Sequence, residues 1–469
     1  MKWIKTHIGQ LAAGVGFLAT FGFFQFAYPY HLMRREQMNL FAYDWDYIRQ
    51  TYQGAGWLGR FVADFLEQFF HLPVVGPLIV ALLLTAIGAV VYRICRHFLK
   101  EWPSLGIAAL FFIWSFLRET GNLYITRYTV VTLAYLSLIL LALQCRKAWQ
   151  KPVAAVLLLA LGCWALGMPV HKFYGKAWGV PRLNYDKVIG LDVETSRENW
   201  DKVIKMSKRD LRMEESSYCL NLAHAMKGDL GSTMLNYAQN HHRTLLFSVS
   251  TENSLFTNSL AGEAWFQLGD MTVAEQSAIT SLQASPKHTG ARFLVRLARV
   301  NLISGEDAAA QKYLSLLGKT LFYRKWALSM MPGRQDEAVR AELAAAHARL
   351  ARTDFVHHSN KPREMLLNLL ASDPDNLPAR NYLLCLDLMV YDLEQFMQDY
   401  EPYMVPGRLY QEAILIWLSQ QGTLGESIFA HYGIETATTS RMDWFFRNPD
   451  RYWNTYWAYY MDALMRENQ

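Results

Sequence analysis

The stretch IGQLAAGVGFLATFGFFQF, Ile8 to Phe26, governs how the rest of the chain is read. It is apolar or small at almost every position, and a helix of that length rises about 28 Å, enough to cross the hydrocarbon core of a bilayer. Lys2 and Lys5 precede it, and Ala27, Tyr28, Pro29 and Tyr30 follow, an aromatic edge of the kind found where membrane meets water. A cleaved leader would have a shorter apolar region and a small-residue cleavage site, so this segment is expected to remain as a first span.

Four further apolar runs lie downstream, at about Leu72 to Val91, Leu105 to Leu117, Tyr128 to Leu143 and Val153 to Val170. The expectation is an N-terminal transmembrane bundle of about five helices over residues 1–170. Arg93, Arg96 and Lys100 occupy one connection and Arg146, Lys147 and Lys151 another, which together with Lys2 and Lys5 marks the cytoplasmic side. An odd number of crossings places everything after Pro169 outside the cytoplasm. The third run is the shortest, rising only about 20 Å; a re-entrant path there would reverse that assignment. Ala12, Gly16 and Thr20 recur every fourth residue, a small-residue stripe for close helix packing within the bundle or in a dimer.

Between the first two runs, residues 29–71 form an external loop ending in an amphipathic segment. Leu58, Phe61, Val62, Phe65, Leu66 and Phe69 share one face, while Arg60, Asp64, Glu67 and Gln68 share the other, with Arg60 and Asp64 at ion-pair spacing. Such a helix suits the membrane interface, or a lid over the bundle. The motifs REQMNLF (35–41), YDWDYI (43–48) and, after a glycine break, FLEQFF (65–70) resemble an uncharacterised bacterial family of multi-pass membrane proteins. The resemblance covers about the first 95 residues, and Gly54, Ala55 and Gly56 stand where a Pro-Gly-Gly-type break would be expected. It implies a place in the bacterial inner membrane and no particular activity.

After a linker at 171–197, residues 198–469 read as successive short helices with polar breaks. In SLAGEAWFQLGDMTVAEQSAITSLQASPKH (259–288), Gly262, Trp265, Gly269, Ala274 and Pro286 fall at the spacing of a tetratricopeptide repeat, which the segment closely resembles. Small residues at 262 and 274 allow two helices to approach, Gly269 closes the turn, Trp265 fills the space between pairs, and Pro286 ends the second helix. Gly305, Glu306, Asp307 and Ala310 repeat the pattern weakly, and Gly228 with Asp229 marks a third turn. The fold class expected is therefore all-α, a membrane bundle followed by a tetratricopeptide-like α-solenoid of about six helix pairs. The acidic residues Glu263, Asp270 and Glu275 read as a solvated face. Near the end, Trp453, Tyr456 and Trp457 either seal the last repeat or present a surface to a partner.

The chain of 469 residues has a formal charge of +5, part of which the basic residues near the spans explain without invoking nucleic acid, for which no module is present. Five scattered cysteines give no disulfide or zinc framework. His241 with His242 and His357 with His358 are adjacent rather than four apart, and no HExxH occurs, so no metal is expected. No GxxxxGK[ST], GxGxxG or GxSxG motif indicates a cofactor or a hydrolytic serine. The one catalytic candidate is Asp44 with Asp46, an Asp-x-Asp pair in the first external loop. Carboxylates in that position serve membrane glycosyltransferases that use lipid-phosphate sugar donors. The reading that follows is a membrane-anchored scaffold whose helical repeats, outside the cytoplasm, bind a protein or polymer partner of the cell envelope. The alternative is a divergent lipid-linked-sugar glycosyltransferase.

Overall fold

The computed structural model describes residues 2–121, 126–145, 150–167, 181–207, 213–239, 244–350 and 355–467. Pro169, Val170, Arg146, Lys147, His241, His242 and residues 171–180 of the expected linker lie outside them. Among the described residues all regular structure is helical, apart from one isolated antiparallel bridge between Ala42 and Thr320. The chain divides into two compact units, the first comprising residues 1–190, 285–295 and 312–334, the second residues 191–284, 296–311 and 335–469. The first unit therefore borrows two segments from far along the sequence.

The first unit contains α1 (Lys2–Gly22), α2 (Pro29–Gln37), α3 (Trp45–Thr51), α4 (Trp57–Glu67), α5 (Val75–Arg96), α6 (Glu101–Glu119), α7 (Thr126–Leu143) and α8 (Gln150–Leu166), and α9 (Leu183–Ser196) begins in it. Helix α5 is central because Val80, Ala81, Leu84, Ile87 and Val91 recur at helical spacing and are buried, so it packs against α1, α6 and α7. Three helical segments are long and apolar enough to cross a membrane: Ile8–Ala27, Val75–Arg96 and Thr126–Leu143. Helix α8 is apolar but has 17 residues. The third apolar run extends into a helix of 19 residues because Trp102, Pro103 and Ser104 start it, proline being tolerated in a first turn. Of the small-residue stripe, Thr20 is buried and Ala12 exposed. A Cβ added at Gly16 would come 3.2 Å from the Phe112 ring on α6, so this position packs within the unit.

The second unit contains the packed helix pairs α11 (Glu214–Lys227) with α12 (Leu230–Thr233), α13 (Leu255–Leu268) with α14 (Met271–Ala284) and α20 (Leu377–Met389) with α21 (Leu393–Tyr400), together with α22 (Arg408–Gln421) and α23 (Glu426–His431), while α15 (Ala291–Ser304) and α16 (Asp307–Leu317) each have residues in both units. Between α10 (Trp200–Ser207) and these, and among them, lie α17 (Arg324–Ser329) of the first unit and α18 (Glu337–Ala348) and α19 (Pro362–Ser372) of the second, and α24 (Thr436–Arg447) and α25 (Tyr456–Glu467) close the chain.

One turn recurs. A residue in the left-handed region follows the first helix at Gly228, Gly269, Gly305, Tyr391 and Gly422. The next amide reaches back five residues, as in Asp270 N–H to the Trp265 carbonyl at 2.9 Å and Glu306 N–H to that of Asn301 at 2.8 Å. This satisfies carbonyls that a helix end leaves bare. Gly269 has φ 100°, and the nearest atom to an added Cβ is 3.7 Å away. Gly269→Ala is thus expected to cost about 1–2 kcal/mol through backbone conformation alone, read as a lower thermal midpoint with the same spectrum.

Gly262 lies against α14, where an added Cβ would fall 2.3 Å from the Ser277 hydroxyl, so the close approach is to Ser277 while Ala274 is buried alongside. Trp265 is fully buried. Helix α14 ends two residues before Pro286, which opens a short 3-10 turn. Glu263 and Asp270, expected on a solvated face, are instead buried, with Glu275 partly so. Glu263 pairs with Arg296, whose guanidinium also stacks 3.6 Å over the Phe266 ring, and Asp270 accepts the Val273 amide at 2.9 Å while facing His357. The reason is that α13 packs against α14, α11 and α20, so hardly any of its faces reaches water. The contacts of α11 and α13 with α20 also join distant parts of the sequence. A strict solenoid, in which each repeat touches only its neighbours, would not make them. At the chain end, Tyr456 and Trp457 are buried, donating to the carbonyls of Leu388 at 3.0 Å and Glu412 at 2.9 Å, whereas Trp453 is 63% exposed.

Candidate functional site

The polar ends of the apolar helices in the first unit converge on a buried layer of charge. Helix α2 and the residues after it supply Arg35, Glu36 and Asn39, α4 supplies Asp64 and Glu67, α6 ends in Glu119, and α7 begins with Thr126. All four carboxylates are nearly inaccessible to solvent. Buried charge at the edge of apolar helices costs several kcal/mol per ion unless it is paired, and here it is.

Arg35 lies at the centre. Its guanidinium donates to Glu119 at 2.6 Å and to Glu67 at 3.4 Å, bonds the Thr126 hydroxyl, and rests 5.5 Å from the Phe70 ring centre. Glu67 also accepts the Thr126 hydroxyl at 2.6 Å, the Thr126 amide at 3.2 Å and the Asn39 side-chain amide at 2.9 Å. Glu119 accepts from Thr129 at 2.6 Å. One step further, Asp64 accepts Asn39 at 3.3 Å and the Tyr52 hydroxyl at 2.9 Å and forms an ion pair with Lys287. Burial raises the Asp64 carboxyl above its ordinary range in spite of that pair. Arg60, four residues earlier on the same helix, bonds backbone carbonyls of Gln53 and Ala55, so the expected Arg60–Asp64 pair is not the one formed. Asp64, Glu67 and Gln68 of the polar face of α4 are buried, and Arg60 is not.

Segments 285–295 and 312–334 complete the layer. Lys287 and His288 both sit in the left-handed region, at φ 59° and 56°, where side chains are rare. That conformation carries the Lys287 ammonium to Asp64. Tyr323 donates to Glu36 at 2.8 Å, His71 lies 3.5 Å from the same carboxylate, and Phe322 stacks on His71 at 4.9 Å. A narrow cleft opens among Glu36, Asn39, Asp64, Gln68, Thr320 and Tyr323. The Asn39 Oδ1 is buried without a hydrogen-bond partner among the described residues. Leu40, Phe41, Ala291, Leu321 and Phe322 line the rest of the cleft, so its open surface is largely apolar with a few acceptors among it. No group of three or more His, Cys, Asp or Glu arranged to hold a metal occurs among the described residues.

Asp44 and Asp46 lie apart from this layer. Asp44 caps α3, accepting the Asp46 amide at 2.9 Å, and pairs with Lys319, which holds its carboxyl below the usual range; Asp46 is exposed. Neither lines the cleft. Sequence reasoning passed over Arg35, Glu67, Glu119 and Lys287. The first three carried a signal in their position at the edges of apolar runs, and Lys287 carried none.

A second buried contact links α9 to α2. Helix α2 begins at Pro29 with no cap of its own, and Asp186 accepts the His31 amide at 2.7 Å, capping it from 155 positions away. Burial pushes the Asp186 carboxyl up to about 7. Burial and the neighbouring Arg35 push His31 down to about 3. A carboxyl raised on folding adds stability below its unfolded pKa and loses it as pH rises through its folded one, so the Asp186 contribution fades between about pH 4 and 7. His31 works in the opposite direction, favouring the fold as pH rises through about 3 to 6.5. Comparing Asp186→Asn with wild type isolates the first effect. The difference in unfolding free energy, followed through the thermal midpoints, is expected to move in favour of the variant from pH 4 to pH 7, by at most ~4 kcal/mol, and a constant difference would show an ordinary carboxyl.

A family model described as a family of unknown function (DUF6057) matches residues 2–180 and 171–463. No curated protein and no solved structure matches the chain. The match takes in both the apolar helices with their charged layer and the hairpin unit, and the chain therefore belongs to the DUF6057 family.

Proposed function

We propose that the protein is a multi-pass scaffold of the bacterial inner membrane, crossing the bilayer about five times. Its tetratricopeptide-like hairpins stand outside the cytoplasm and hold a protein or polymer partner of the cell envelope. The observation that carries this reading is the recurrence of one hairpin turn at Gly228, Gly269, Gly305, Tyr391 and Gly422. Arrays of helix hairpins offer broad surfaces for peptides and helices. The engagement of Glu36, Asp64, Glu67 and Glu119 in pairs supports a holding role for the first unit rather than a reaction there.

Truncation after residue 200 would remove segments that the first unit needs, so the test uses the full chain. Cross-linking and affinity capture from intact membranes are expected to return one reproducible companion, lost when the exposed Trp444 and Trp453 are replaced by Glu. Failure to recover any companion from membranes that retain the folded protein would overturn the scaffold. Asp44→Asn with Asp46→Asn is expected to leave capture unchanged, whereas a glycosyltransferase would lose its product with its fold intact.

A further inference from the structure

We infer that helix α18 is a displaceable cover, lying in a groove of the hairpin unit that takes an amphipathic helix of a protein partner. The groove is apolar and crosses two successive turns. Phe266 near the end of α13, Met271 and Ala274 at the start of α14, and Val300 and Ile303 near the end of α15 form one buried cluster, and Leu343, Ala346 and, just past α18, Leu350 are packed against it. His347 anchors the cover by donating from Nδ1 to the Ile303 carbonyl at 2.7 Å. Its ring lies beside the Gly305 turn, where an added Cβ would come 3.7 Å from it. All of these residues belong to the second unit.

The fold holds little of α18. Val339, Leu343, Ala346 and Leu350 are half-buried along one helical stripe, and every other residue from Asp336 to Leu350 is exposed. None of the 12 residues of α18 is fully buried, whereas α13 buries 11 of its 14. The charged residues Glu337, Arg340, Glu342 and Arg349 form no ion pair among the described residues. A helix kept in place by one apolar stripe and one side-chain hydrogen bond opens at a smaller free energy than the hairpins it covers. Opening bares Phe266, Met271, Val300 and Ile303 together, an apolar strip that stays dry only while something lies on it.

The seated helix defines what can replace it. Continuity with this contact selects a second amphipathic helix, with apolar side chains at the spacing of Val339, Leu343, Ala346 and Leu350 and a donor for the Ile303 carbonyl. A glycan or a nucleic acid has no such stripe. Because two helices cannot share the groove, a partner competes with α18, and its apparent affinity falls by the fraction of time the groove stands open. The assignment rests on the scaffold reading proposed above, which it narrows to a protein helix as the companion, and the groove shares no residue with Trp444 or Trp453.

The test uses the purified full chain in a neutral detergent and, as probe, a labelled synthetic peptide of residues 335–350. Leu343→Ser with Leu350→Ser in the chain loosens the cover and is expected to raise affinity for the peptide by about tenfold, the gain for a wild-type groove open about one-tenth of the time. The same two substitutions placed in the peptide are expected to abolish binding. Hydrogen exchange on wild type is expected to show α18 amides opening while those of α13 stay protected, with saturating peptide speeding the exchange. If the double variant fails to fold, that comparison decides. A folded double variant that ignores the peptide, or α18 amides that exchange only together with those of α13, overturns the proposal. Pairing of wild-type chains that grows with concentration and is blocked by the peptide overturns the assignment to a partner in favour of a second copy. Peptide binding as expected, with no companion captured from membranes, supports the groove and refutes the scaffold.

Discussion

Glu67→Ala is expected to destabilise the protein by about 3–5 kcal/mol, the range for removing one partner of a buried ion pair. The loss exceeds that of one contact because four groups converge on the carboxylate: Arg35, the hydroxyl and amide of Thr126, and Asn39. Each would be left buried and short of a partner where water does not reach. Glu67→Gln keeps the volume and an acceptor but removes the charge, so it is expected to fall between wild type and alanine. Thermal midpoints in detergent decide it. An alanine variant within about 0.5 kcal/mol of wild type, the range of ordinary surface changes, would show that the layer contributes little.

In the hairpin unit, the second large effect is at Trp265. Its side chain is wholly enclosed, and cutting it to alanine leaves a void the surrounding helices cannot close, at about 3–5 kcal/mol. The indole nitrogen has no hydrogen-bond partner among the described residues, so the loss is one of packing. Trp453→Ala serves as the contrast, being 63% exposed and expected to change stability by less than about 0.5 kcal/mol. Limited proteolysis of the two variants checks the difference, since only the Trp265 variant should open the hairpins to cleavage. Equal protection would mean that the core around α13 and α14 is less tightly packed than its burial indicates.

Much of the architecture was legible in the sequence. Apolar runs announced α5 and α7 because a helix apolar enough to span a membrane is marked by composition over its whole length. The Gly-Asp and Gly-Glu steps at 228, 269 and 305 announced hairpin turns because few residues other than glycine enter the left-handed region easily. The motifs REQMNLF and FLEQFF served only as a family resemblance and marked no site. Arg35, Glu36, Asn39 and Glu67 belong to the buried polar layer.

What stayed hidden was partnership. Helical periodicity reports which residues share a face but not whether that face meets water. Glu263 and Asp64 therefore read as solvated, and their cations, Arg296 and Lys287, lie 33 and 223 positions away. Asp44 drew attention as an acid in a loop, but its role as the cap of α3 is local and was readable from its place just before the helix.

The distance between Asp64 and Lys287 bears on biosynthesis. A ribosome adding about 5–20 residues per second takes roughly 10–45 s to make the 223 positions that separate them. During that interval the nascent helices hold an acid whose counter-ion has not yet been made. A carboxyl that accepts a proton readily, as burial makes Asp64 do, tolerates such a delay, and the arriving lysine then fastens an assembly whose other members are already waiting.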